Sequence, residues 1–206
     1  MHHFKASEIS VKQQYKLVIG GVVPRPIAWV ATLDKSEKVY NVAPYSYFSG
    51  ASNELPLLTI AVLRVNGKMK DTARNILDTK EAVVHVVDVE NAEAMNFTCT
   101  SLPREESELK LIDVELEESK SIKVQRIKGT KIQYETVMYQ YVPINNEQGE
   151  IITDFFILKI VDFHIDESIY DLDSQYIITE RLRPVARLAG NQYAVLGEEF
   201  SLKRPD

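Results

Sequence analysis

Apolar residues fall along this chain in short blocks parted by polar turns, and most of the blocks read as strands. "RPIAWVATL" (residues 25–33) follows a proline start with β-branched and aromatic residues. "DKSEK" is a polar hairpin loop that returns "VYNVAPYSYF" beside it. "LLTIAVL" (residues 57–63) and "AVVHVVDV" (residues 82–89) are continuous enough to be buried strands. Further on, "SIKVQRI", "KIQYETVMYQYVPI" and "FFILKIVDFHI" are strand-like, the first two parted by a turn at Lys128-Gly129.

Helical signals are fewer. Ser10-Val11-Lys12-Gln13 fits a capping box, and Gly20-Gly21 would stop the helix that follows. "DTARNILDT" (residues 71–79) predicts a short helix capped by Asp71 or Thr72. "NAEAMNF" and "PREESELKL" predict two more. The second places Pro103, Glu105 and Glu106 in its first turn, where proline geometry and the helix dipole favour them. The tail from "RPVARLAG" onward reads as irregular. Strands dominate, and hairpin-length loops join the early ones. That predicts a mainly β fold, an antiparallel β-barrel with short helices, in a single domain over residues 1–206.

Composition changes this picture little. Hydrophobic content of 45% and charged content of 26% are those of an ordinary folded domain. A formal net charge of -6 argues against nucleic acid or an anionic membrane as the main partner. The single cysteine, Cys99, cannot form an intrachain disulfide and reads as a small buried side chain. The first residues, "MHHFKASEIS", lack the apolar core of a signal peptide, and no apolar run approaches membrane-spanning length. A cytoplasmic location is the expectation.

Catalytic constellations are missing. The eight glycines never form G-x-G, so neither standard phosphate loop is present. The four histidines are not spaced as metal ligands: His2 and His3 read as a solvated terminus, His85 as a satisfied core residue, and His164 as a loop-edge residue without a role or, alternatively, a ligand contact. No Ser/His/Asp arrangement announces itself. Reactive chemistry, if any, would be brought by a cofactor.

Two segments offer a place for one. In "NVAPYSYFSGAS" (residues 41–52), Pro44 removes a ladder donor and pushes Ala43 toward extended geometry. Beyond it, backbone N–H groups need partners other than a regular ladder. Tyr45, Tyr47 and Phe48 add flat apolar surface, and Thr32, Asn41 and Ser46 add directional polar groups. A planar heteroaromatic ligand would use all of these; a bulged, aromatic-rich core strand explains the same residues. In "KMKDTARN", Lys70 precedes a helix whose first N–H groups, with the Thr72 hydroxyl, form an anion site. On this stretch alone a plain Asp71-Thr72 cap beside a solvated lysine is the simpler explanation.

Taken in order, "RPIAWVATLD", "VYNVAPYSYFSGAS", "LPLLTIAV" and "KDTARNI" resemble the flavin reductase-like family of FMN-binding split-barrel proteins. The likeness continues through "AVVHVVD", "MNFTCTS" and "PVARLAGNQYAV", covering the chain from about Arg25 to Pro205. The resemblance implies a homodimer of split barrels holding FMN near the subunit interface. Thr32, Asn41, Ala43 and Pro44 would then lie against the ring and ribityl chain, with Tyr45 and Phe48 in the segment bordering the isoalloxazine. Ser46, Lys70, Asp71 and Thr72 would lie at the phosphate end, and Arg187 would approach the flavin. The chain departs from the family in two places. Leu55-Pro56 stands where many members have paired prolines, and His164 lacks the Gly-Asp-His setting that some flavin reductases use for nicotinamide.

The leading expectation is an FMN-dependent oxidoreductase that reduces flavin or another acceptor with NAD(P)H. The alternatives are an FMN-binding electron carrier of flavoredoxin type with no nicotinamide site, and a split-barrel binding module with a different pocket.

Overall fold

The computed structural model describes residues 1–205. Its first elements are α1 (Val11–Gly21), β1 (Ala28–Leu33), β2 (Tyr40–Tyr45), β3 (Phe48–Gly50), β4 (Leu57–Leu63), α2 (Asp71–Thr79) and β5 (Glu81–Val86). Then come α3 (Ala92–Phe97), the short pair β6 (Leu116–Glu117) and β7 (Arg126–Ile127), and the long hairpin β8 (Ile132–Asn145) and β9 (Ile151–Ile165). The chain ends through β10 (Tyr170–Asp171), β11 (Tyr176–Ile177), α4 (Thr179–Leu182) and the hairpin β12 (Val185–Arg187) and β13 (Tyr193–Val195).

Seven strands form one antiparallel sheet in the order β2-β1-β5-β8-β9-β4-β3. Its two edges, β2 and β3, are consecutive in the chain and only Ser46 and Tyr47 separate them. Such a short link cannot span a flat sheet, so the sheet curls until its edges meet, the half-barrel of a split-barrel fold. Tyr47 sits at the seam, where its carbonyl accepts the Ala61 N–H at 2.9 Å.

Alternation along the strands puts one set of side chains inside the curl. Ala28, Val30, Ile60, Val62, Val84, Phe156 and Leu158 meet there, with Ala73 and Ile76 of α2 plugging the open side. The other face of β1, β2 and β5 is covered as well. Trp29, Ala31, Val42 and Val83 pack there on Met95, Val124, Ile127 and Val185. β1 is buried at every residue because both its faces are covered, whereas burial alternates along β4, whose second face is only partly covered.

Several sequence expectations need correction. "VYNVAPYSYF" is not one strand: it leaves one sheet edge at Tyr45 and joins the other at Phe48. Neither Asp71 nor Thr72 caps α2; Lys70 occupies that position, and it makes no side-chain cap. Only Glu108–Leu111 of "PREESELKL" is helical, as a single 3-10 turn, because Glu108 is drawn onto β2. "SIKVQRI" contributes just the two residues of β7. The tail is not wholly irregular, since β12 and β13 pair across Arg187 and Tyr193. Cys99 is exposed. His164 lies within β9, its Nε2 2.6 Å from the buried carboxylate of Glu135. His85 is the core residue expected: fully buried, it donates from Nδ1 to Trp29 O and accepts the Ile127 N–H at Nε2, each at 2.9 Å. Among the described residues no helix is long and apolar enough to cross a membrane.

Candidate functional site

The site grows from the proline that opens the sheet edge. Val42 and Pro44 have the same parity along β2, so their nitrogens face the free edge and not β1. A proline is tolerated there because no ladder bond is lost. The Val42 N–H turns to the Glu108 carboxylate at 2.9 Å, which also accepts from the Asn41 amide at 3.0 Å and 3.2 Å. Burial raises the Glu108 pKa above the ordinary carboxylate value, with the Val42 N–H and the Asn41 amide pulling the other way.

From Asn41 a chain of hydrogen bonds runs inward. Thr72 donates to the Asn41 amide oxygen, and the Tyr45 phenol donates to the Thr72 hydroxyl at 2.8 Å. Asn75 donates to Thr32 at 3.1 Å. Thr32, Thr72 and Asn75 are buried, so this network fixes α2 against β1 and β2 from behind. Burial holds the Tyr45 phenol far above its usual pKa, which keeps it a neutral donor.

In front of the network lies a cleft of about 280 Å³. Pro44, Tyr45, Ser46, Tyr47, Lys70 and Arg187 line it. The Lys70 ammonium stands 5.6 Å from the centre of the Tyr45 ring, and among the described residues no carboxylate pairs with it. The first N–H groups of α2 begin at the next residue, so positive potential collects at this end. Tyr15 and Ile19 of α1 close the cleft on one side. That helix has no buried residue at all. Arg25 holds it: the guanidinium donates to Ile19 O and Val22 O at 2.6 Å each and to Leu188 O at 2.9 Å.

The expected site residues therefore divide by place. Pro44, Tyr45, Ser46, Lys70 and Arg187 face one cleft. Thr32, Asn41 and Thr72 form the network behind it. Ala43 and Phe48 pack on the barrel core. Asp71 lies in a small crevice with Asn41 and Glu108, 3.9 Å from Arg104. Sequence reasoning missed Arg25, Tyr15 and Glu108. An arginine between two prolines at the head of an apolar strand was a usable signal for Arg25; nothing local marks Glu108.

Residues 20–178 match the family model described as "Flavin reductase like domain". The chain is 44% identical over 205 residues, 100% of each chain, to an uncharacterised protein, YwrF, of Bacillus subtilis. Among solved structures it is similar to nitrilotriacetate monooxygenase component B from Bacillus cereus, with a TM-score of 0.94, 38% identity and 98% of each chain covered. It is also similar to the 2-nitrobenzoate 2-nitroreductase NbaA of Pseudomonas fluorescens, with a TM-score of 0.87 and 29% identity over 99% of this chain and 96% of that one.

Proposed function

Since the chain belongs to the flavin reductase-like family, we propose that it is an FMN-dependent oxidoreductase that draws electrons from NAD(P)H and passes them to flavin or another small acceptor. The observation that carries this reading is the cleft in which Lys70, which precedes α2 and has no carboxylate partner among the described residues, and the Ser46 side chain meet beside Tyr45 and Tyr47. These groups suit a flat ring that ends in one phosphate.

FMN, when bound, supplies the hydride chemistry. The protein's part is binding and orientation. Lys70 and the Ser46 hydroxyl would hold the phosphate, with the start of α2 adding positive potential at that end. The Asn41–Thr72–Tyr45 chain fixes the Tyr45 ring, and α1 shields the cleft from water. No side-chain acid or base is required.

The same reading includes a homodimer. Among the described residues no strand pairs with the outer edge of β3, and α1 exposes Val11, Tyr15, Leu17 and Val18. Open edges and apolar faces of this kind are most simply covered by a second copy. Light scattering should give about twice the 23.5 kDa chain mass.

Titration of FMN, FAD and riboflavin with fluorescence quenching tests the cofactor, and oxidation of NADH and NADPH tests the activity. FMN is expected to bind most tightly and to support turnover. Binding without nicotinamide oxidation would favour the electron carrier, and no flavin binding at millimolar concentration would end the assignment.

A further inference from the structure

A second and larger cavity, about 780 Å³, opens beside the flavin cleft. The two share Arg187. Beyond it the wall comes from Asn96, Cys99, Val185, Tyr193 and Val195. The backbone of Arg187 is locked to Arg25 in both directions, at 2.8 Å and 3.3 Å. Its guanidinium lies over the Tyr193 ring, 4.5 Å from the centre, and donates one N–H to Gly190 O. The remaining N–H groups have no partner among the described residues. Tyr193 is itself oriented, since its phenol donates to the Asn96 amide oxygen at 3.2 Å.

A planar cation with free donors, held over an aromatic ring at the edge of an apolar wall, is a built receptor for a flat ligand with an acceptor group. The one carboxylate on the wall is Glu93, on α3. It disfavours a dianion such as a phosphate ester and leaves room for a monoanion at the Arg187 end. We propose that this chamber is a second binding site, for a planar aromatic carboxylate, with the carboxylate on Arg187 and the ring against Val185 and Tyr193. Its use as an acceptor site rests on the flavin reading; the binding itself does not.

Cys99 provides a footprint. It is the single cysteine of the chain, is exposed, and lines this chamber. Local desolvation raises its pKa, partly offset by Arg187 and Lys70, so alkylation by iodoacetamide is best followed by mass spectrometry at alkaline pH. Benzoate is the probe. Saturable protection of Cys99 by benzoate, retained with saturating FMN and absent with benzyl alcohol, is the expected result. Arg187→Gln should weaken the protection about ten-fold, and Tyr193→Leu, which keeps the charge, should weaken it less. No protection by benzoate overturns the proposal, as does equal protection by benzyl alcohol. Protection by FMN that benzoate competes away also overturns it, because the chamber would then seat the flavin ring. Failure of FMN to bind, with benzoate protection intact, removes the flavin reading and leaves this site standing.

Discussion

Glu108 accepts the backbone N–H of Val42 at 2.9 Å, so a side chain from a distant loop closes the sheet edge where no strand does. The same carboxylate holds the Asn41 amide, the outermost member of the network behind the cleft. One residue thus couples the loop of residues 102–111, the edge of β2 and the support of α2.

Removing that carboxylate should be costly. Glu108→Ala leaves a buried N–H and a half-buried amide without partners, which costs roughly 1–3 kcal/mol in stability. Glu108→Gln retains an acceptor and should lose less. Urea denaturation of the three proteins measures both, and equal midpoints would mean that water satisfies Val42.

Lys70→Met tests the phosphate end. The change removes a cation and keeps most of the stem. FMN affinity should fall about ten-fold, the lower end for a charged hydrogen bond, because Lys70 is exposed and water screens it. Riboflavin, which has no phosphate, should bind both proteins alike. Unchanged FMN affinity would take Lys70 out of the site.

Arg25 is the fastening of α1. A helix that buries no residue gains little from packing, so its position depends on Arg25, which holds the carbonyls of Ile19 and Val22 at its C-terminal end and ties them to Leu188 O of the tail. In Arg25→Met, limited proteolysis within residues 11–21 should quicken while amide protection in the sheet persists. Retained resistance would show that something other than Arg25 secures the helix.

His85 makes stability depend on pH. Burial, opposed in part by its bond to Trp29 O, lowers its pKa from 6.5 to about 4. Between those values the unfolded chain binds a proton that the folded chain refuses, so stability rises with pH. The contribution is complete above pH 6.5 and is lost as pH falls toward 4, a change of about 3 kcal/mol. Unfolding free energies measured across this range should show the slope in the parent and a smaller one in His85→Gln. Parallel slopes would refute the assignment to His85.

Much of the fold was legible because its causes are local. Ser10 accepts the Gln13 N–H, and α1 runs to Gly21 as the capping pattern and the glycine pair predict. Residues 57–63 and 71–79 form β4 and α2 within the expected bounds, since apolar run length and turn chemistry are written in neighbouring residues. Pro44 marked an interrupted sheet edge for the same reason: a missing N–H is a property of one residue. The tertiary structure alone decided where that edge leads. Whether residues 46–47 continue a strand or close a barrel depends on how the whole sheet curls, which no local stretch records. Glu108 and Arg25 take their roles from Val42 and from the carbonyls of Ile19, Val22 and Leu188, partners set by packing between distant segments. Likewise, Arg187 and Tyr193 read as an irregular tail until a hairpin placed them opposite each other, because strand pairing at a terminus draws its stability from the surface it covers and not from its own residues.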